Sequence, residues 1–101
     1  MNYRFQARLW KSAGQGGWHF LTLPDALSKH IRMAHGSLES GWGRLKTEAI
    51  YQDSKWSTSL WYDKKSAAYL LPLTAKIRQK HKIQLGDLVE IELVVDSDFL
   101  L

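Results

Sequence analysis

Residues 71–93 read LPLTAKIRQKHKIQLGDLVEIEL, and the order of patterns in this stretch indicates the fold. Over residues 88–95, apolar residues alternate with acids, which is the period-two pattern of a half-buried β-strand. The basic segment of residues 74–82 follows Pro72 and predicts a short helix, and Leu85-Gly86-Asp87 predicts a turn. This part of the chain therefore predicts a helix, a turn and a strand in that order.

The same alternation predicts strands elsewhere in the chain. Period-two patterns cover residues 3–9 and 56–62, and residues 18–23 and 67–71 are predicted to be the returning strands after the turns that precede them. The glycine-rich residues 11–17 predict the loop of a hairpin between the first two strands. We expect residues 40–51 to be extended but irregular, because glycines flank Trp42 on both sides.

A first helix is predicted to begin at Pro24-Asp25. Proline suits the first turn of a helix, and an acid there complements the positive end of the helix dipole. Gly36 is predicted to end this helix in a left-handed conformation. The residues predicted to share its buried face are Leu27, Ile31 and Ala34.

Five or six strands and two short helices in 101 residues predict one mainly β domain, residues 1–101, built as a small barrel. The chain also contains a weak internal echo. Leu23-Pro24 precedes Ile31-Arg32 and His35, as Leu71-Pro72 precedes Ile77-Arg78 and His81. The echo favours a pseudo-two-fold repeat, although Leu-Pro is also a natural junction between a strand and a helix.

The composition excludes several classes of protein. The chain has no cysteine, which excludes disulfides, thiol catalysis and thiolate metal sites. Its longest apolar run, residues 67–73, is far shorter than the roughly 20 residues that cross a bilayer. The first residues alternate between polar and apolar types and do not resemble a signal peptide. We therefore expect a cytoplasmic protein that does not associate with membranes.

The net charge of +4 is distributed unevenly. Residues 83–101 contain no lysine or arginine, whereas four basic residues fall on the second predicted helix: Lys76, Arg78, Lys80 and Lys82. Such a helix attracts phosphates, but exposed lysines equally serve solubility, so both interpretations stay open.

No pattern in the sequence predicts catalysis, a metal or a cofactor. The glycines of residues 14–17 lead into a strand, so they predict a hairpin and not a phosphate-binding loop. His30 and His35 are spaced so that they point to different sides of a helix, which disfavours a shared metal ion. Ser59 lacks the glycines of a nucleophile elbow. His35 and His81 are predicted to lie beside helix C-termini, where their partial positive charge is stabilising.

The five tryptophans are the most unusual part of the composition. Trp18, Trp42 and Trp56 are predicted to be bulk that covers the core of a small barrel. Trp10 and Trp61 fall on the nominally polar faces of their strands. There they line an apolar pocket, stack on bases or close the barrel.

Residues 71–93 resemble the strand–helix–strand unit of AbrB-like transition-state regulators, through Leu71-Pro72, Ile77-Arg78 and Gly86-Asp87. Over its whole length the chain more closely resembles the domain-of-unknown-function 1905 family. That resemblance adds Phe5, Ala7, Leu9, Trp18, Phe20, Leu23, Pro24, Thr58, Ser59, Leu60, Tyr69, Val89 and Ile91. It implies a double-split, swapped-hairpin β-barrel related to the AbrB-like fold, with both halves in one chain, and no established activity. Residues 48–56 depart from the family pattern.

Three functions are compatible with these observations. In the first, the protein is a non-catalytic binding module for an anionic or aromatic ligand, whose candidate contacts are Arg78, Thr58, Ser59 and Trp61. The guanidinium of Arg78 offers a fork of donors to a carboxylate or phosphate, or else pairs with Asp87 or Glu90 within the protein.

In the second, the protein binds nucleic acid by analogy with AbrB-like regulators, through Arg4, Arg8, Lys76, Arg78 and Lys80. In the third, it is an adaptor for a partner protein, and the apolar Phe99-Leu100-Leu101 docks on that partner or caps its own barrel. We expect a monomer or a weak dimer.

Overall fold

The computed structural model describes residues 1–14, 16–39 and 43–95 of the chain. Its strands are β1 (Asn2–Arg8), β2 (Trp10–Lys11), β3 (His19–Thr22), β4 (Arg44–Tyr51), β5 (Ser54–Asp63), β6 (Ala68–Pro72) and β7 (Leu88–Val94). Helix α1 (Asp25–His35) connects β3 to β4, and helix α2 (Ala75–His81) connects β6 to β7. The prediction of a mainly β fold with two short helices is confirmed.

The described strands form one antiparallel sheet in the order β1-β7-β4-β5-β6-β3-β2. The two edge strands are neighbours in the chain, since only Leu9 separates β1 from β2. The amide of Leu9 donates to the carbonyl of Asp87 at 3.0 Å, and the amide of Gly86 donates to the carbonyl of Leu9 at 2.8 Å. The sheet therefore curls into a barrel-like body whose two edges meet at Leu9.

The hydrophobic core lies inside this curl. Within the described ranges, one cluster of buried apolar side chains fills it: Phe5, Leu9, Leu21, Leu23, Ile31, Leu45, Ala49, Leu60, Tyr69, Leu71, Leu73, Ile83, Val89, Ile91, Leu93 and Val95. Alternate residues of β7 point into the cluster, as the period-two pattern predicts. Every strand except β2 contributes to this core. Because successive side chains of a strand point to opposite faces, the residues between the core positions lie on the outer surface.

Helix α1 differs from its prediction at two positions. Ala34 is exposed, and the buried face consists of Ser28, Ile31 and His35. Gly36 is right-handed, with φ −58°, and the chain continues into a 3-10 turn over Gly36–Leu38. The helix is therefore not closed by a left-handed glycine, and the buried stripe follows an i, i+3, i+7 spacing that includes polar residues.

Strand β4 is regular over Arg44–Tyr51, so the prediction of an irregular segment is wrong there. Leu45, Thr47 and Ala49 are buried, and the residues between them are exposed or half-buried. Gly41 and Trp42, on which the prediction of irregularity depended, lie outside the described residues.

The pairing pattern of the sheet is two-fold symmetric. Suppose that β1–β2 is exchanged with β5, β3 with β6, α1 with α2, and β4 with β7. The same set of strand pairings then results. Leu21 faces Leu71 in the β3–β6 register. An axis at that pair relates Pro24 to Thr74, the two helix N-caps. The topology thus supports the predicted repeat, but the proposed match of Pro24 with Pro72 is wrong, because Pro72 is the last residue of β6.

Candidate ligand-binding groove

Strands β4 and β5 form a hairpin whose outer face carries polar and aromatic side chains. The facing pairs on this side are Arg44 with Trp61, Lys46 with Ser59, and Glu48 with Ser57. Their neighbours Leu45 and Leu60 are buried in the core. Because successive side chains of a strand point to opposite faces, the polar set faces away from the core.

This outer face contributes to a groove of about 690 Å³, which we call the hairpin groove. Most of its lining comes from β4 and β5, and Trp18, Pro72, Thr74 and Val94 complete it. Pockets for small ligands typically enclose about 300–1,000 Å³. The hairpin groove is therefore large enough for a small organic molecule.

Aromatic and guanidinium groups are packed together in the hairpin groove. The guanidinium carbon of Arg44 lies 4.3 Å from the centroid of the Trp61 ring, which is a cation–π geometry. The rings of Trp18 and Trp61 lie 4.9 Å apart, and 48% of the surface of Trp18 is exposed. The groove thus presents an exposed indole beside a guanidinium that Trp61 orients.

Three polar side chains in the groove have no protein partner among the described residues. Lys46 is exposed and makes no ion pair there, although Glu48 lies on the same strand. Glu48 instead pairs with Lys55, whose Nζ lies 3.8 Å from its carboxylate. The hydroxyls of Ser57 and Ser59 likewise make no side-chain hydrogen bond within the described part of the chain. These groups are available to a ligand.

The structure brings together three of the four residues predicted to bind a ligand. Thr58, Ser59 and Trp61 all line the hairpin groove. Arg78 is not part of its lining: its Nε donates to the carbonyl of Leu73 at 3.3 Å, which ties helix α2 to the end of β6. The alternative prediction, a pair with Asp87 or Glu90, is not found among the ion pairs of the described residues either.

A second groove, of about 450 Å³, lies between helix α2 and the start of β5, and we call it the helix groove. Its cationic lining residues are Lys55, Lys76 and Lys80, and its acid is Asp53. Lys80 and Asp53 are 3.8 Å apart, with both side chains largely exposed. Thr74 lines both grooves.

The sequence profile of the family described as "Domain of unknown function (DUF1905)" matches residues 5–93, which is most of the chain. The chain belongs to this family. No curated protein matches it. The family assignment predicted from the sequence is confirmed. The description of the family names no activity, so the evidence for the function of this DUF1905 member lies in its own residues.

The basic residues predicted to bind nucleic acid lie on β1 and α2. On β1, Arg4 pairs with Glu92 at 3.4 Å, and Arg8 donates to the carbonyl of Gly86 at 3.0 Å. On α2, Lys76 and Lys80 line the helix groove, while Arg78 binds the backbone as described above. Of these five basic residues, only Lys76 and Lys80 lie in the same groove, which they share with Lys55.

The tryptophans are distributed differently from the sequence prediction. Trp18 was expected to cover the core but is nearly half exposed, because it shares its face with Phe20, opposite to the core residue Leu21. Trp56 packs against the core as predicted. Trp10, 39% exposed, packs on Phe20. Trp42 lies outside the described residues.

Arg44, Lys46 and Trp18 were missed as site residues. The signal for the first two was present in the sequence, since charged and uncharged residues alternate throughout residues 44–49. The neighbouring glycines obscured that alternation. The position of Trp18 depends on the pairing of β3 with both β2 and β6, which no local pattern reports.

A partly buried polar network connects α1 and Glu39 to β5 and β6. The hydroxyl of Tyr69 donates to Glu39, whose carboxylate also accepts from Arg32 at 3.1 Å. Burial, together with the hydrogen bond to Glu39, raises the pKa of the Tyr69 phenol above its ordinary value. The Arg32 guanidinium lies 3.7 Å from the ring centroid of Tyr62. The network holds the helix against the sheet.

Both helix-terminal histidines lie where they were predicted and have hydrogen-bond partners, but burial lowers the pKa of His35 and so disfavours the positive charge expected there. The Nε2 of His35 lies 2.9 Å from the hydroxyl of Tyr3, and the Nε2 of His81 lies 2.8 Å from the hydroxyl of Ser54. In the described ranges, no three histidine or acidic side chains form a cluster that would hold a metal ion. Neither described helix is long and apolar enough to cross a bilayer.

Proposed function

We propose that this protein is a non-catalytic binding module that holds a small ligand bearing an aromatic ring and an anionic group in the hairpin groove. The observation that carries the proposal is the Arg44 guanidinium held over the Trp61 ring, beside Lys46 in the same groove. A cation that the protein itself orients loses less conformational freedom when it binds an anion.

The lining of the groove supplies complementary groups for both parts of such a ligand. The exposed ring of Trp18 offers a surface on which a second aromatic ring stacks or packs edge to face. Lys46 and Arg44 attract the anion, and the hydroxyls of Ser57 and Ser59 provide the short-range donors that fix its position.

The proposal is tested by NMR with 1-naphthoate as the probe of an aromatic anion. In ¹⁵N-labelled protein, we expect naphthoate to shift the indole signals of Trp18 and Trp61 and to leave that of Trp10 in place. The uncharged 1-naphthalenemethanol and the non-aromatic cyclohexanecarboxylate are expected to cause smaller shifts, because each lacks one of the two recognised groups.

Matched variants separate the site from general charge effects. Lys46→Gln is expected to weaken naphthoate binding severalfold, since it removes a cation of the groove. Lys64→Gln removes the same charge from the exposed turn after β5 and is expected to have no effect. Shifts of equal size at Trp10 and Trp61, or equal effects of the two variants, would contradict the proposal.

We also propose that the two-fold curled sheet is a double-split barrel of the AbrB-like type, with both halves in one chain. The support is the symmetric pairing of β3 with β6 and of β4 with β7. The binding module is proposed to act in the cytoplasm as a monomer or weak dimer, in keeping with the absence of cysteine from the chain.

A further inference from the structure

We infer that the ligand continues along β5 from the hairpin groove into the helix groove, and that its class is a short segment of single-stranded nucleic acid. This inference rests on the proposed function, because it takes the aromatic and anionic site of the hairpin groove as one end of a longer site. It adds the second groove, its three lysines and a polymeric ligand.

The two grooves adjoin along one strand face. Lys55 lines the helix groove, Ser57 and Ser59 line the hairpin groove, and Trp61 ends the series on the same side of β5. Thr74 contributes to both grooves from the junction before α2. At about 3.3 Å per residue, the distance along β5 from Lys55 to Trp61 is about 20 Å.

The charge along this path is mainly positive. Its lysines are Lys46, Lys55, Lys76 and Lys80. The acids beside them form only exposed or half-exposed ion pairs. Glu48 lies 3.8 Å from Lys55, and Asp53 lies 3.8 Å from Lys80. The side chains of Lys55, Lys80 and Asp53 are more than half exposed, and that of Glu48 is 44% exposed. Ion pairs of this kind contribute little, so a phosphate is able to replace the carboxylate as the partner of each lysine.

A single strand fits this arrangement better than a duplex. The exposed ring of Trp18 is at the aromatic end of the path, and stacking on a tryptophan requires a base that is free of its own neighbours. In a duplex the bases are stacked on one another and paired. A strand whose bases are unstacked advances further per nucleotide than the roughly 3.4 Å of a stacked strand, so a path of about 20 Å accommodates at most about six nucleotides.

The experiment compares thymidine 5′-monophosphate with a fluorescently labelled thymidine hexanucleotide, using anisotropy and competition at low salt. We expect the hexanucleotide to bind at least about tenfold more tightly, because it reaches the lysines of both grooves. Each phosphate contact on a single strand contributes about −0.7 to the slope of log K against log salt, so the four lysines alone predict a slope at least as steep as about −2.8.

The variant Lys76→Gln/Lys80→Gln tests the helix groove without altering the hairpin groove. It is expected to lower the affinity for the hexanucleotide about tenfold at low salt and to make the slope shallower by about 1.4. It should leave the binding of thymidine 5′-monophosphate and of naphthoate unchanged. The control Lys64→Gln/Lys65→Gln makes the same charge change in the exposed turn after β5 and should alter neither ligand.

The outcomes distinguish this inference from the proposed function. If naphthoate binds but the hexanucleotide binds no more tightly than the monophosphate, the longer site is refuted and the small-ligand module stands. Equal losses in the two double variants, or tighter binding of a duplex than of the single strand, also refute the inference. If neither naphthoate nor the hexanucleotide binds, both proposals fail.

Discussion

At the scale of single residues, His35 is a buried titratable group whose hydrogen bonds are only partly satisfied. Only 4% of its surface is exposed, and its Nδ1 is buried without a hydrogen-bond partner. The groups that face it are the hydroxyl of Tyr3, the amino group of Met1 and the ring of His30. Burial lowers the pKa of His35, and the positive charges of the chain terminus and of His30 lower it further.

The lowered pKa of His35 predicts that the protein loses stability in mild acid. The unfolded chain takes up a proton on this histidine near its ordinary pKa of about 6.5, while the folded state resists protonation. The free energy of unfolding is therefore expected to fall as the pH decreases through about 6.5, until the folded-state pKa is reached. Urea unfolding at pH values from about 7.5 to about 5.5 measures this dependence.

Two substitutions identify the group responsible for this pH dependence. His35→Gln is expected to flatten the dependence over that pH range, whatever it does to the stability itself. His30→Gln changes an exposed ring and should retain most of the dependence. A pH dependence that persists undiminished in His35→Gln would show that another group titrates.

At the scale of secondary-structure elements, the ends of helix α2 show how local chemistry specifies the fold. Thr74 caps the start, since its Oγ1 accepts from the amide of Ile77. Lys82 ends the helix in a left-handed conformation with φ 55°, where its amide donates to the carbonyls of Arg78 and Gln79. A side chain with a Cβ is strained in that region, so the helix ends at a residue that is not optimal for its backbone.

Lys82→Gly is therefore expected to stabilise the protein by about 0.5–1 kcal/mol, because glycine adopts the left-handed conformation without a steric penalty. Chemical denaturation measures the change. The reverse substitution at the following turn, Gly86→Ala, is expected to destabilise by about 1 kcal/mol or more, since Gly86 has φ 87°. A loss of stability in Lys82→Gly would mean that its side chain contributes more than the strain costs.

The elements also show which parts of the structure were predictable from the sequence. Strand β7 was predictable from the alternation of its residues, and helix α2 from the basic segment that follows Pro72. The hairpin groove was predicted only in part: Ser59 and Trp61 were identified from β5, but their facing residues Lys46 and Arg44 depend on the β4–β5 register. The chemistry of Arg78 predicts an anion contact, but its Nε donates to the backbone carbonyl of Leu73, a contact that no local sequence pattern indicates.

At the scale of the whole molecule, the two halves of the sequence are interleaved. The first half, ending at β4, contains only the β2–β3 pairing, and the second half, beginning at β5, contains only the β5–β6 pairing. The other pairings of the described strands join the halves: β1 with β7, β3 with β6, β4 with β5, and β4 with β7. Both halves also contribute side chains to the same core.

Interleaving predicts that neither half remains folded as a monomer. A chain divided between Asp53 and Ser54 is cut in the turn that joins β4 to β5. Each fragment alone retains one short hairpin, which is too little sheet for independent stability. We expect fragments 1–53 and 54–101 to be disordered or self-associated alone, and to form a one-to-one complex with the circular dichroism of the intact protein when mixed. Light scattering gives the stoichiometry, and a fragment that is monomeric and folded on its own would contradict the interleaved assembly.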